Sequence, residues 1–245
     1  MKVIKLGGSL LDDKERRHEA LLVLASQWNR GEQIVLVHGG GKHVDAHLAK
    51  LGIAKKTHAG LRITDDETLP VVVAVLAGLV NKSLVAELAG LGIRAAGISG
   101  ADASTLVAEP HPPIGGVELG HVGRVVYSNR ALIRSMLTAG IMPVVSSVAE
   151  GPNGTLLNVN ADTAASAIAI ALGAEALVFI TDVAGVLDAK GEVFPKLHAA
   201  DAHALLDSDV ISGGMRPKLQ AALHALGSGV RRIEIGEGGT HLVAA

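Results

Sequence analysis

Val3-Ile4-Lys5-Leu6-Gly7-Gly8-Ser9 is the stretch on which the fold turns: a short apolar run, a lysine within it, and a glycine turn directly after. The pattern recurs at Val35-Leu36-Val37-His38-Gly39-Gly40-Gly41. Glycine lets a backbone approach a ligand closely and adopt torsions that other residues avoid. Each turn follows an apolar run and precedes a helical pattern, so the two read as anion sites of phosphate or carboxylate size. Lys5 makes the first of them electrostatically active; a solvated lysine beside an edge strand is the alternative.

Working outward, short apolar runs alternate with amphipathic stretches. Residues 3–5, 33–37, 93–98, 141–146 and 176–180 read as strands, and 14–30, 42–51, 67–91, 131–139 and 161–172 as helices. That alternation predicts an α/β protein whose parallel sheet is covered on both faces. Right-handed crossovers gather the strand C-termini on one edge, where open α/β sheets bind ligands. Both glycine turns fall there. Residues 108–120, with Pro110, Pro112, Pro113, Gly115 and Gly116, read as a loop or hairpin excursion. Gly151-Pro152-Asn153-Gly154 reads as a hairpin tip within 149–157.

The 245 residues carry a formal charge of −2, 49% hydrophobic side chains and 2% aromatic ones. No basic field is offered to nucleic acid, and base-stacking platforms are nearly absent. With no cysteine, disulfides, zinc–thiolate sites and cysteine nucleophiles are excluded. No signal peptide is read, and no apolar run reaches the ~18 residues of a membrane helix. The longest, 69–80, is interrupted by Pro70 and Gly78. The expectation is a cytoplasmic protein that binds neither membrane nor nucleic acid.

Several segments carry candidate chemistry. The G-x-x-x-x-G-K-[ST] loop, the G-x-G-x-x-G turn and the G-x-S-x-G elbow are all missing. Gly60-Leu61-Arg62-Ile63-Thr64-Asp65 sets an arginine ahead of a helix N-cap in Thr64 or Asp65. A guanidinium grips a carboxylate in a two-pronged geometry, so Arg62 is a candidate substrate contact. Its alternative is a pair with Asp65 or Asp66. In Leu157-Asn158-Val159-Asn160-Ala161-Asp162, Asn160 reads as an N-cap and Asp162 as a first-turn acid. Asn158 has no such local explanation and would point the same way as Asn160 on extended chain. Thr181-Asp182-Val183-Ala184-Gly185-Val186-Leu187-Asp188 is a polar turn after a strongly apolar strand, suited to a nucleotide. Gly213-Gly214-Met215-Arg216-Pro217-Lys218 puts Lys218 at a positive helix end, unfavourable unless an anion is bound there. His43 and His47 have i, i+4 metal spacing, but no glutamate or third ligand accompanies them, and they read as exposed helix histidines.

Together these segments resemble the amino-acid kinase superfamily and, within it, the N-acetylglutamate kinase family. The resemblance also rests on Asn81-Lys82, Gly120-His121-Val122-Gly123 and Pro143-Val144-Val145-Ser146-Ser147, all in family order from residue 3 to about 225. It implies a three-layer αβα sandwich with a mainly parallel open sheet, usually as a homodimer. Residues 1–172 would bind the acyl-amino-acid and dimerise, and 173–245 would bind ATP. Lys5 and Lys218 match the two transition-state lysines, and Asp162 the acid that orients them. Gly40, Gly41, Arg62 and Asn158 match the acetylglutamate contacts. Gly7, Gly8, Asp182, Val183, Ala184, Gly185, Val186, Leu187, Val210, Ile211 and Ser212 match the ATP-binding positions. Mg²⁺ would ride on the ATP phosphates, with no metal ligand from the protein.

The implied activity is phosphorylation of the γ-carboxylate of N-acetyl-L-glutamate by ATP, in arginine biosynthesis. A carboxylate with a pKa near ~4.3 is already ionised at neutral pH and needs no general base. A carrier-protein-linked aminoadipate or glutamate kinase, a uridylate kinase, and a non-catalytic sensor on the same scaffold are the alternatives. The chain starts almost at Lys5, without the N-terminal helix that links hexameric, arginine-inhibited members. A dimer with little arginine feedback is therefore expected. After 230–236 the chain soon reaches Gly238-Gly239-Thr240, where relatives commonly place another helix. His58 receives no role.

Overall fold

The computed structural model describes residues 1–208, 210–211 and 213–244. Strand β1 (Lys2–Leu6) runs through the first glycine turn into helices α1 (Gly8–Asp12) and α2 (Lys14–Asn29). Strand β2 (Ile34–His38) and α3 (Gly41–Lys50) repeat the motif. A hairpin of β3 (Thr57–His58) and β4 (Leu61–Arg62) leads to α4 (Thr68–Val73), a π-helical stretch (Ala74–Val80) and α5 (Asn81–Gly90). Next come β5 (Ala95–Ser99), β6 (Val107–Pro110), β7 (Val122–Tyr127), α6 (Ala131–Thr138), β8 (Met142–Ser146), β9 (Val148–Glu150) and β10 (Leu156–Val159). The chain continues with α7 (Ala161–Leu172), β11 (Ala176–Ile180), β12 (Lys196–His198), α8 (Ala199–Leu206), α9 (Met215–Gly227), β13 (Arg232–Ile235) and β14 (Thr240–Val243).

The central sheet has eight strands in the order β12-β14-β13-β11-β1-β2-β8-β5. Its ladder is parallel from β13 to β5, and only the β13–β14 junction is antiparallel. The expected αβα sandwich is therefore present. Alternation along each strand divides the core in two. Val3, Val35, Val37, Leu177 and Phe179 join the cluster beneath α6, α7, α8 and α9. Ile4, Leu6, Ile34 and Leu36 join the one beneath α1 to α5. Lys5 shares the pleat face of Val3, which aims it at α7 and α9.

Local chemistry fixes the element ends. Asp13 caps α2 by accepting from the amides of Glu15 and Arg16, each at 3.1 Å. Asn160 caps α7, and Gly173 closes it in the left-handed region at φ 61°.

Three features go beyond the sequence reading. Residues 67–91 do form one helical stretch, Thr68–Gly90, but its middle is π-helical. By length and composition that stretch could cross a membrane, although Pro70 and Gly78 interrupt its apolar run. Its Val72, Val75, Leu76, Val80, Leu84 and Leu88 are buried in the second core cluster. Residues 108–120 are partly strand, and Ile114 and Val117 pair across Gly115 and Gly116, both at positive φ. Finally, β6, β7, β9 and β10 close a small four-stranded barrel that the sequence did not announce.

Candidate active site

Three buried charges meet above the C-terminal end of β1. Lys5 Nζ lies 2.8 Å from Asp162 Oδ1, while Lys218 Nζ lies 3.3 and 3.4 Å from the two Asp162 oxygens. Lys5, Asp162 and Lys218 are 7%, 6% and 6% exposed. Asp162 is placed by the cap of α7: Asn160 Oδ1 accepts from the Asp162 amide at 2.8 Å and the Thr163 amide at 3.2 Å. Burial by itself would raise the Asp162 pKa, but Lys5 and then Lys218 outweigh it and hold the carboxyl below its ordinary range. Burial, and next the Lys5 charge, lower the Lys218 pKa, against the pull of Asp162. Lys218 also stands 5.7 Å from the ring centroid of Phe179, the β11 register partner of Lys5. One carboxylate between two ammonium groups leaves the cluster one positive charge in excess, suited to an anion.

The two glycine turns flank this cluster. The Gly7 amide donates to Ile180 O at 2.7 Å, and a Cβ on Gly7 would stand 2.9 Å from that oxygen. Gly7 is thus a packing position whose donor is engaged. Gly8 begins α1, where an amide has no intrahelical partner, and a Cβ there would meet nothing within 4 Å. At the second turn Gly40 has φ 150°, and a Cβ would stand 2.9 Å from Leu76 of the π-helical stretch. Beneath it His38, fully buried, bonds the Gly39 carbonyl through Nδ1 at 2.8 Å and meets Asn81 Nδ2 through Nε2 at 3.0 Å. Burial pushes the His38 pKa down to about 4, so the ring is neutral at pH 7. Asn81 also donates to Val144 O at 3.0 Å, tying α5 to the sheet beside the turn.

Lys5, Gly8, Gly40, Gly41, Arg62, Asn158 and Asp162 all line one cleft of about 390 Å³. Arg62 neither pairs with Asp65 nor with Asp66. Its Nη2 donates to Gly41 O at 3.0 Å and contacts Asp45 of α3, and its Nη1 is buried with no hydrogen-bond partner among the described residues. Asp65 instead binds Lys56 at 3.0 Å, and Asp66 meets His121 at 2.7 Å. Asn158 Nδ2 donates to Thr64 Oγ1 at 3.1 Å, which anchors it to the chain after Arg62. Asp45 escaped the sequence reading, and Thr64 entered it only as a candidate N-cap, a task that falls to Asp65, which accepts from the Thr68 amide at 3.0 Å. Asp45 follows Gly41 by one helical turn, and that i, i+4 spacing was the available signal.

The positions expected to bind nucleotide lie elsewhere on the same edge. Asp182, Val183 and Ala184 line a separate cavity of about 420 Å³ together with Arg16 and Glu19 of α2. Val186 is buried, Leu187 is exposed, and Gly185 packs against Thr240. Burial would raise the Asp182 pKa, but hydrogen bonds from Thr181 and Ser9 and the Lys42 charge lower it. Of the α8–α9 connection, Val210 is exposed and Ile211 buried, while Ser212 lies outside the described residues. His43 and His47 are half-buried, not exposed. His43 lies 3.0 Å from Asp12, and His47 Nδ1 bonds His43 O at 2.8 Å. No group of three metal-ligating side chains occurs among the described residues.

Comparisons with known proteins agree with this fold. The chain is 43% identical to an acetylglutamate kinase of Solibacter usitatus (strain Ellin6076), over 96% of this chain and 90% of that protein. An acetylglutamate kinase of Dehalococcoides mccartyi (strain CBDB1) is 47% identical, over 91% and 82%. The crystal structure of smu.665 from Streptococcus mutans UA159 superposes with a TM-score of 0.89 at 29% identity, covering 99% of this chain and 98% of that one. The model of the Amino acid kinase family matches residues 1–237. A parallel sheet with two glycine turns at its edge, and that match over nearly the whole length, make this chain a member of the amino acid kinase family.

Proposed function

We propose that the protein is an acetylglutamate kinase, transferring the γ-phosphoryl group of ATP to the γ-carboxylate of N-acetyl-L-glutamate, a step of arginine biosynthesis. The observation that carries this is the shared carboxylate: Asp162, which lines the cleft between the two glycine turns together with Lys5, also holds Lys218 from the far end of the chain. The names of the relatives supply the acceptor.

The acceptor carboxylate is ionised at neutral pH, so attack on phosphorus needs no proton removed. The task left to the protein is to bring two anions together and to stabilise charge on the migrating phosphoryl oxygens. Lys5 and Lys218 supply two positive charges for those oxygens, and Asp162 keeps the two from repelling each other out of position. The Gly8 amide is the backbone donor beside the phosphoryl group. The Gly40 and Gly41 turn receives the acceptor, the open donor of Arg62 takes its α-carboxylate, and Asn158, oriented by Thr64, takes its acetamido group.

Residues 173–245 form the nucleotide lobe in this reading, through Asp182 to Leu187 and Val210 to Ser212, and 1–172 the acceptor lobe. Mg²⁺ carried by the ATP phosphates adds counter-charge. The reading includes a homodimer through the N-terminal lobe, favoured by the exposed Leu79 on the π-helical stretch, and a cytoplasmic setting. A carrier-protein-linked acceptor would want a broad basic rim, but Lys56 is neutralised by Asp65, and Lys55 and Arg62, which share Asp45, leave a single positive charge inside the cleft.

The test is ATP consumption with N-acetyl-L-glutamate, glutamate, aminoadipate and UMP offered in parallel. Turnover should be highest with N-acetyl-L-glutamate. Preference for any other acceptor, or consumption of none, would overturn the assignment.

A further inference from the structure

Arg62 does not stand alone in the acceptor cleft. The Asp45 carboxylate touches Arg62 through Oδ1 and binds Lys55 Nζ through Oδ2 at 2.8 Å. All three side chains line the same cleft. Lys55 precedes the β3–β4 hairpin, Arg62 closes it, and Asp45 belongs to α3, so one carboxylate pins both ends of the hairpin to that helix. Burial would raise the Asp45 pKa, but Lys55 and Arg62 lower it, and the group is a carboxylate at neutral pH. Two cations and one anion leave a charge of +1 at this end of the cleft, and a buried guanidinium nitrogen has no partner among the described residues. Lys56, the next cation along the hairpin, is paired with Asp65. Lys5 and Lys218 serve the opposite, phosphoryl end through Asp162.

We infer that Lys55 is a specificity-determining residue, the second cation that makes this end of the cleft select an acceptor with a free, ionised α-carboxylate, and that Asp45 is the positioning residue that shares its charge between Lys55 and Arg62. The inference rests on the acetylglutamate reading above and adds to it. An acceptor carboxylate brings the local charge to zero; an α-carboxamide leaves it at +1, and a free α-amine adds to it.

The test measures binding by calorimetry, independent of turnover, for N-acetyl-L-glutamate and its α-amide. Wild type should bind the acid about tenfold or more tightly than the amide, in the range of a partly desolvated charge pair. Lys55→Gln removes one charge and should weaken the acid by about tenfold while moving the amide by less than about threefold. The double variant Lys55→Gln with Asp45→Asn returns the local charge to +1 and should recover most of the acid-over-amide preference. A merely structural role for Lys55 predicts no such recovery. If Lys55→Gln leaves the preference intact, or weakens both ligands equally, or if the double variant recovers nothing, the inference is wrong while the kinase assignment stands. If wild type binds neither acylated glutamate, the assignment fails and the inference falls with it. Lys55 is half-exposed, so its replacement by glutamine opens no buried cavity, and an unchanged urea midpoint for the single variant confirms that its binding change is not one of folding.

Discussion

Lys218 sits in the first turn of α9, where the backbone amides already present positive charge. By sequence it is a local conflict; by structure the conflict is answered by Asp162 from α7. Burying a charge costs several kcal/mol unless it is paired, so such an arrangement persists where an anion is to be bound. Lys5→Ala or Lys218→Ala should lower kcat by at least about 10²-fold, the scale of lost electrostatic stabilisation. Steady-state kinetics within threefold of wild type would remove that lysine from the mechanism. Lys5, Asp162 and Lys218 were legible because each lies beside a glycine turn or a helix start, where a charge is either explained locally or conspicuous. Asp45 and, as the anchor of Asn158, Thr64 were not, because their partners come from distant parts of the chain and no local rule marks them. Gly7 was read with Gly8 as a nucleotide donor, yet only the structure separates a glycine packed on Ile180 O from one open to the cleft.

Among the elements, the π-helical stretch Ala74–Val80 packs closely on the second glycine turn. It sets Leu76 and Val80 against Gly40 and delivers Asn81 to His38 at the start of α5. A period search cannot find it, because the residues from Leu69 to Val80 are apolar on all sides and carry no phase. In the main sheet β1, β2, β5, β8 and β11 were legible for the opposite reason, being short apolar runs bounded by turns, whereas the shorter β12, β13 and β14 were not read as strands. The barrel strands were not, since β6 ends in Pro110 and β7 contains Gly123. The His38–Asn81 pair gives this region a pH signature. His38 titrates near 6.5 unfolded and about 4 folded, so between those values the unfolded chain binds more protons. Stability should therefore fall as pH drops from 6.5 to 4, by up to about 3 kcal/mol. The lowered Asp162 pKa adds a later loss, below the ordinary carboxylate range. Urea midpoints measured across this interval should slope in wild type and flatten in His38→Gln; equal slopes would exclude His38 as the source.

Across the whole molecule, the stretch proposed to bind nucleotide is held by the β13–β14 hairpin. Thr240 Oγ1, fully buried, accepts from the Val186 amide at 2.8 Å, and Gly185 packs on the same side chain. Gly236 and Gly239 leave room for the Ala184 carbonyl, which a Cβ at either would overlap. Thr240→Val removes the acceptor and strands a buried amide, a cost of about 1–3 kcal/mol. Its expected effect is a raised KM for ATP with KM for the acceptor nearly unchanged. A change confined to the acceptor would show that the loop does not serve the nucleotide. The αβα class was readable from alternation alone, whereas the reversal of direction at β14 was not, since a four-residue strand carries no sign of which way its neighbour runs.

The position of β1 has a consequence for biosynthesis. Lys2–Leu6 pairs with β2 on one side and with β11 on the other, and β11 follows it by about 170 residues. At the usual pace of translation the middle of the sheet stays open on the ribosome for on the order of ten seconds or more. Throughout that interval the most buried lysine-bearing strand of the finished enzyme has one bare edge, and Lys5 has yet to meet Lys218. Nascent chains of this protein therefore carry an open sheet edge through most of their synthesis, and the Lys5–Asp162–Lys218 cluster is complete only once α9 has been made.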